Sequence, residues 1–269
     1  MPDLSVTIIQ ADLKWEDKEA NLQMLSDRIS NIRDKTEVVI LPEMFNTGFS
    51  MRPELLAENM DGKTVEWMKN IASSKKTILT GSLMIRENGQ FFNRLIWMLP
   101  NGTFGVYDKR HLFAFGNEDK CYTAGNKRLI AQVKGWRVNL QVCYDLRFPV
   151  WARQQMNFKT SIPDSSLEYD LLVFVANWPE RRILVWKSLL QARAIENQCY
   201  VIGVNRVGND GHGIYHSGDS MIIGPLGGIL YHKTNEEDTF TYTLQQEKLQ
   251  EARDKYPFWK DADIFKIQG

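Results

Sequence analysis

The chain has 269 residues, with 33 Lys plus Arg against 33 Asp plus Glu, so its formal net charge at pH 7 is zero. A balanced charge removes the bulk electrostatic attraction to nucleic acid and to anionic membranes that a strongly basic protein has. With 43% hydrophobic and 25% charged residues, the composition is that of a folded protein and excludes a largely disordered one.

Strand and helix patterns alternate along the chain. Alternating or continuous apolar runs predict strands at 4–10, 38–41, 77–83, 91–99, 104–107, 128–133, 138–142, 171–176, 199–205, 221–223, 229–232 and 239–244. Apolar residues at helical spacing predict helices at 17–33, 65–72, 181–198 and 245–255. No low-complexity linker interrupts this order, so we predict a single α/β domain over residues 1–269 with a mixed sheet.

Cysteine content and apolar run length bear on where the protein resides. Cys121, Cys143 and Cys199 are too few for a disulfide-rich secreted domain, which favours a reducing cytoplasm. The apolar run at 171–176 is far shorter than the roughly 18 residues of a membrane helix. We therefore expect a cytoplasmic protein with no signal peptide, membrane span or nucleic-acid partner.

Three motifs that follow predicted strands contain residue types suited to catalysis. They are Leu41-Pro42-Glu43, Asp108-Lys109-Arg110-His111-Leu112-Phe113 and Cys143-Tyr144-Asp145-Leu146-Arg147-Phe148-Pro149. Ligands of α/β folds bind where strands end. Singly, each motif has an ordinary structural interpretation: a solvated glutamate, a surface lysine and an inert core cysteine.

Together, Glu43, Lys109 and Cys143 have complementary chemistry. A cysteine nucleophile reacts as a thiolate, a carboxylate can take the thiol proton, and a lysine can stabilise an oxyanion. A Cys–His pair stays open as an alternative but is less favoured. Of the four histidines, His111 lies near Lys109, and we expect His212, His216 and His232 at the surface. The cysteines and histidines lack structural-zinc spacing, so we predict no metal site.

With these motifs in place, the sequence resembles the nitrilase (carbon–nitrogen hydrolase) superfamily over almost its whole length. The Glu–Lys–Cys triad of that superfamily falls on Glu43, Lys109 and Cys143. The resemblance implies a four-layer α-β-β-α sandwich with mixed sheets and no cofactor or metal. It also implies a homodimer, with the tail at about 245–269 at the interface.

Neighbouring residues resemble a narrower subgroup, the bacterial omega-amidases. The segments that carry this resemblance are 43–51, 122–125, 176–179 with Arg182, and 192–198. These enzymes hydrolyse the terminal amide of dicarboxylate monoamides, such as 2-oxoglutaramate and succinamate, to the dicarboxylate and ammonia. One alternative is another enzyme of the superfamily with a different substrate, such as an amidase, carbamoylase, nitrilase or N-acyltransferase. A second is a catalytically silent binding protein, but the intact triad argues against it.

The resemblance assigns further roles around the triad. Glu118 matches a second glutamate that supports the triad by orienting Lys109 or the substrate amide, and the oxyanion would be held by Lys109 and the backbone N–H of Tyr144. An omega-amidase must also hold a distant carboxylate, to which arginine is suited, and Arg147 and Arg182 are the candidates. Phe115, Tyr144 and Trp178 are expected to wall the substrate pocket. One departure is Cys121, where we expect a polar residue.

Overall fold

The computed structural model of the chain describes residues 1–155 and 167–267. Its strands are β1 Leu4–Gln10, β2 Val38–Ile40, β3 Ile78–Glu87, β4 Gln90–Met98, β5 Phe104–Asp108, β6 Leu129–Val133, β7 Trp136–Val142, β8 Leu171–Ala176, β9 Tyr200–Asn205, β10 Val207–Asn209, β11 Tyr215–Ile223, β12 Ile229–Thr234 and β13 Asp238–Leu244. Its α-helices are α1 Lys18–Ser30, α2 Pro53–Leu56, α3 Lys63–Lys75, α4 Glu118–Cys121, α5 Pro149–Ala152, α6 Ile183–Asn197 and α7 Gln246–Lys255.

The strands form two mixed sheets. The first has the order β13-β1-β2-β3-β4-β5, and the second has the order β10-β11-β9-β8-β7-β6, with β12 paired to β11. Within the first sheet β1, β2 and β3 run parallel, and within the second β7, β8 and β9 run parallel. The remaining strand pairs are antiparallel, so both sheets are mixed, as predicted.

Apolar residues from both sheets meet in one core. Val6 and Ile8 of β1 share a buried cluster with Val138 and Leu140 of β7. The opposite face of the first sheet is covered by helices, because Ile9 of β1 lies in a second cluster with residues of α1 and α3. Each sheet thus packs one face against the other sheet and its opposite face against helices. This arrangement is an α-β-β-α sandwich.

Helix α6 covers the outer face of the second sheet. A side chain at Gly203 in β9 would come within 2.5 Å of Leu190 and 2.7 Å of Trp186, both on α6. The absence of a side chain at this position therefore allows the helix to lie close against the strand. Asp17 is the N-cap of α1, since its side chain accepts the N–H of Ala20 at 3.0 Å.

Most predicted elements are present with small shifts in their bounds. The main errors lie around residues 207–220, where β10 was not predicted and β11 begins at Tyr215 instead of residue 221. Polar residues such as Ser217 and Asp219 lie in this part of β11, and they hide the apolar pattern that marks a strand. Among the described residues, no helix is both long and apolar enough to cross a membrane. Residues 268–269 of the predicted tail lie outside the described residues.

Candidate active site

The three predicted triad residues come from both sheets and meet where the strands end. Glu43 lies in the turn after β2, Lys109 directly follows β5, and Cys143 directly follows β7. Glu43 and Lys109 are 0% and 1% exposed, and Cys143 is 9% exposed. The sequence places each residue at or just after the end of a strand, and the packing of one sheet on the other brings them together.

Lys109 forms two buried ion pairs. Its Nζ lies 2.8 Å from Oε1 of Glu43 and 3.0 and 2.9 Å from the two oxygens of Glu118. The ring of Phe49 lies beneath the ammonium, at 5.1 Å. Burial disfavours the charged lysine, yet the carboxylates of Glu118 and Glu43 raise the pKa of Lys109 above its ordinary value. The lysine is therefore an ammonium at neutral pH.

The Cys143 thiol faces this charged cluster. Burial raises the pKa of Cys143 well above its ordinary value, and the charge of Glu43 and a hydrogen bond to it raise it further, against the effect of Lys109. The resting side chain is therefore a thiol, with the carboxylate of Glu43 beside it. Such a nucleophile reacts by passing its proton to the base as the sulfur attacks.

A strained turn presents the thiol. Cys143 has a positive φ of 45°, which non-glycine residues adopt only where the surroundings hold them there. Asp145 supplies that hold: its carboxylate accepts the N–H of Val142 at 3.0 Å, the hydroxyl of Tyr107 at 2.7 Å and the N–H of His111 at 2.9 Å. Asp145 is fully buried and was not recognised from the sequence.

Two asparagines that sequence reasoning also missed complete the surroundings of Glu43. Asn93 donates from Nδ2 to Oε1 of Glu43 at 2.8 Å and to Oε1 of Glu118 at 3.1 Å. Asn177 donates its backbone N–H to Oε2 of Glu43 at 2.9 Å. A polar residue inside a mostly apolar predicted strand, as at Asn93 in 91–99, is the signal that could have found the first of them.

A cavity of about 250 Å³ opens above Cys143 and Lys109. All five predicted substrate-binding residues line it. Trp178 is buried in its wall, while Phe115 is 82% exposed. Arg181, which was not predicted, also lines it.

Two arginines of this cavity rest on aromatic rings. Arg147 lies 5.0 Å from the ring centre of Trp178 and 6.0 Å from that of Tyr144, and Arg182 lies 5.1 Å from that of Phe113. Within residues 1–155 and 167–267, neither guanidinium pairs with a carboxylate. Burial and the neighbouring Arg181 lower the pKa of Arg182, although it stays charged. The cavity thus offers cationic groups to an anion.

The histidines depart from their predicted positions in one respect. His216 was expected at the surface, and this is wrong: it is 2% exposed and lines the cavity, because β11 begins at Tyr215 and folds back on β10. Burial lowers the pKa of His216 to about 4, so it is neutral at pH 7. His111 bonds Asp145 through Nδ1 at 2.8 Å. In the described part of the chain, no side-chain hydrogen bond joins a histidine to Cys143.

A buried thiol that lines a cavity beside a carboxylate and an ammonium is the arrangement of a hydrolase that uses a cysteine nucleophile. The sequence profile of the family described as carbon-nitrogen hydrolase matches residues 5–254. The chain belongs to this family, which confirms the resemblance that the three motifs carry.

Individual relatives agree with this assignment. The chain is 41% identical over 268 residues to Omega-amidase YafV of Escherichia coli K12, covering 99% of this chain and 100% of that protein. It is 28% identical over 260 residues to 2-oxoglutaramate amidase of Bacillus subtilis, covering 96% of each. The predicted resemblance to omega-amidases is thus confirmed.

Solved structures confirm the predicted fold. A CN-hydrolase superfamily protein of Xanthomonas campestris, whose active site carries an arsenic adduct, matches with a TM-score of 0.96 and 42% identity over 100% of both chains. A carbon-nitrogen hydrolase of Helicobacter pylori matches with a TM-score of 0.81 at 20% identity, covering 97% of this chain and 95% of that one. The second match shows the fold alone.

Proposed function

We propose that this chain is an omega-amidase that hydrolyses the terminal amide of dicarboxylate monoamides, of the 2-oxoglutaramate and succinamate type, to the dicarboxylate and ammonia. One observation carries the proposal: arginines without a carboxylate partner in the described residues line the same cavity as Cys143 and Lys109. An amide that carries a carboxylate at its other end fits this combination. The similarity to Omega-amidase YafV supports the same substrate class.

The first half of the reaction acylates Cys143. As the sulfur bonds to the amide carbon, the thiol proton passes to Glu43, and the carbonyl electron pair moves onto oxygen. The Lys109 ammonium and the backbone N–H of Tyr144 hold this oxyanion. Tyr144 is the second residue of the short 3₁₀ turn Cys143–Arg147, where the first N–H groups have no partner within the turn. When the C–N bond breaks, Glu43 returns the proton to the departing ammonia.

The second half releases the acid. Water gives a proton to Glu43 and attacks the thioester carbon, the C–S bond breaks, and Cys143 regains its proton. Lys109 stabilises the oxyanion again. Glu118 keeps Lys109 charged and fixes its direction through both carboxylate oxygens, which makes Glu118 a supporting residue of the triad.

Arg182 anchors the distant carboxylate of the substrate in this proposal. Its guanidinium is half-buried, lies over Phe113, and can give a carboxylate two parallel hydrogen bonds. Arg147 lies four residues after the nucleophile and packs on Tyr144 and Trp178, which suits it to shaping the site around the reacting carbon. Phe115, Tyr144 and Trp178 form the apolar walls between the two ends of the substrate.

We propose that the protein is a cytoplasmic homodimer whose C-terminal tail lies at the interface. Phe258 and Ile264 in that tail are 65% and 77% exposed in the single chain, and burying them would remove apolar area from water. Cys121, Cys143 and Cys199 are all free thiols, which suits a reducing compartment. The molar mass of the protein, measured by light scattering as it elutes from a size-exclusion column, tests the dimer. The mass of a single chain would overturn it.

A panel assay of ammonia release tests the substrate. Its members are 2-oxoglutaramate, succinamate, glutamine, butyramide, an N-carbamoyl amino acid and a nitrile. We expect 2-oxoglutaramate and succinamate to be hydrolysed well and butyramide poorly, because the neutral amide leaves the arginine unpaired in the cavity. A preference for the N-carbamoyl amino acid, the nitrile or butyramide would instead indicate another member of the carbon–nitrogen hydrolase family.

A further inference from the structure

Asn93 contacts all three members of the buried charged cluster of Glu43, Lys109 and Glu118. It lies in the middle of β4, opposite Met84 of β3, and is fully buried. Its side-chain Nδ2 donates to Oε1 of Glu43 at 2.8 Å and to Oε1 of Glu118 at 3.1 Å. Its backbone oxygen accepts the N–H of Lys109 at 3.0 Å. One residue thus binds both carboxylates with its side chain and the lysine with its main chain.

The orientation of the Asn93 amide follows from its neighbours. The –NH₂ group has two protons, and each is directed at a carboxylate oxygen. Oδ1 has no hydrogen-bond partner among the described residues. A flipped amide would place Oδ1 against two carboxylate oxygens, which are themselves acceptors. The amide must therefore present its donors to Glu43 and Glu118.

The remaining oxygens of the two carboxylates are also occupied by donors. Oε2 of Glu118 accepts the N–H of Phe113 at 2.6 Å and Nζ of Lys109 at 2.9 Å. Oε2 of Glu43 accepts the N–H of Asn177 at 2.9 Å. Each of these bonds favours the ionised carboxylate over the protonated acid. Like Lys109 Nζ, the Asn93 amide is a donor that the two carboxylates share.

We propose that Asn93 is a positioning residue whose single amide group holds Glu43 and Glu118 as ionised acceptors on either side of Lys109, so that Glu43 stays ready to take the Cys143 proton. The inference rests on the proposed function, because it takes Glu43 as the base. Asn93 itself touches neither the thiol nor the amide in this scheme, so its effect passes through Glu43.

The predicted consequence is a change in the pH dependence. Glu43 is faced by the ammonium of Lys109, the carboxylate of Glu118, the thiol of Cys143 and the phenol of Tyr122. Burial and the charge of Glu43 raise the pKa of Glu118, while Lys109 opposes this. Removing the two Asn93 bonds takes away a donor that favours the ionised form of each carboxylate over the protonated acid. The acidic limb of kcat/KM must then move to higher pH.

Two substitutions test the inference. Asn93→Leu removes both donors at similar volume, and Asn93→Asp keeps the shape while it adds a third carboxyl group. We expect each to move the acidic limb of kcat/KM upward by about one pH unit or more, with activity partly recovered at high pH. A merely structural role would instead lower activity equally at every pH. If Asn93→Leu fails to fold, Asn93→Asp still decides, because its shape matches the native side chain.

Asn139→Leu is the matched control. Asn139 is fully buried in β7, and neither atom of its amide has a partner in the described part of the chain. The same change of residue type there removes no bond to the triad, so we expect an unshifted acidic limb. An acidic limb in folded Asn93→Leu and Asn93→Asp that coincides with the wild-type limb would overturn the inference.

A second readout does not depend on the substrate. The rate at which iodoacetamide alkylates Cys143, followed on its own peptide by mass spectrometry, also requires Glu43 to accept the thiol proton. We expect this rate to show the same upward shift in both Asn93 variants. If 2-oxoglutaramate is not hydrolysed but the alkylation profile shifts, the proposed substrate fails and the role of Asn93 stands. An unshifted alkylation profile contradicts the role itself.

Discussion

Lys109 is held more completely by Glu118 than by Glu43. Its Nζ lies within 3.0 Å of both oxygens of Glu118 and contacts Glu43 through Oε1, at 2.8 Å. Glu118 therefore supplies the bidentate contact that keeps the lysine charged and in place. Glu43 contacts Lys109 through Oε1 alone, and in the proposed reaction its carboxylate exchanges a proton with Cys143.

The two glutamates should consequently differ in the size of their effect. Glu43→Gln removes the proton acceptor, and we expect the acylation rate to fall by at least about 10²-fold, as for a lost general base. Glu118→Gln removes one charge-assisted contact, and we expect a loss of about 10- to 100-fold in kcat/KM. Single-turnover and steady-state kinetics measure both. A larger loss for Glu118→Gln than for Glu43→Gln would reverse the assigned roles.

Lys109→Arg should be damaging although the charge is kept. The planar guanidinium is larger than an ammonium, and Nζ now sits in a fully buried space between two carboxylates. We expect kcat to fall sharply while the protein still folds, which circular dichroism and turnover measurements check together. Near-normal kcat in this variant would remove Lys109 from the triad.

Only Cys143 among the three cysteines should be needed for turnover. Cys121→Ala and Cys199→Ser should stay active, because Cys199 lies in the core and Cys121 contacts the backbone oxygen of Met51. Iodoacetamide should label Cys143, and the substrate should protect it. Protection that is seen only at Cys121 or Cys199 would show that the nucleophile is misassigned.

Arg182→Ala should weaken the discrimination between charged and neutral amides. We expect KM to rise for 2-oxoglutaramate and succinamate more than for butyramide, because only the charged substrates lose an ion pair. Arg147→Ala is the comparison: it packs on Tyr144 and Trp178, so its loss should harm charged and neutral substrates together. Equal losses for all three amides in Arg182→Ala would exclude Arg182 as the carboxylate anchor.

Stability should fall in acid through Asp170. This buried carboxylate accepts hydrogen bonds from Arg137 and Arg253. Burial raises the pKa of Asp170, but the two arginines outweigh burial and lower this pKa below 3.8. When a carboxyl group has a lower pKa in the folded protein than in the unfolded chain, it stabilises the fold at pH values above its unfolded-state pKa. This stabilisation is lost as the pH falls through its folded-state pKa. Asp170→Asn should cost about 3–5 kcal/mol at pH 7 and less below pH 3.8. Thermal unfolding across pH checks this, and a constant Tm difference would contradict it.

Sequence reasoning reached the fold and the triad for identifiable reasons. Buried strands such as Leu171–Ala176 are continuous apolar runs, and Lys109 and Cys143 directly follow strands, while Glu43 lies three residues after one. Local pattern therefore locates both the strand and the position of the reactive side chain at its end.

What the sequence did not reveal depends on contacts between distant segments. Asn93 meets Glu43 and Glu118 across 50 and 25 residues, and Asn177 meets Glu43 across 134. No local period encodes such contacts. His216 was misplaced for a related reason, since its burial depends on the pairing of β11 with β10. Arg181, beside the predicted Arg182, lines the cavity only because of how the turn before α6 is folded.

In the proposed reaction, Cys143 carries the acyl group of a dicarboxylate monoamide as a thioester between the two halves of the reaction. Wild-type enzyme mixed with saturating 2-oxoglutaramate, quenched in acid within the first turnover and digested for mass spectrometry, tests it most directly. We expect the peptide containing Cys143 to gain the mass of the substrate less ammonia, and Cys143→Ala to show neither this adduct nor ammonia release. Ammonia release by Cys143→Ala at the wild-type rate, or an acyl adduct on another residue, would contradict it.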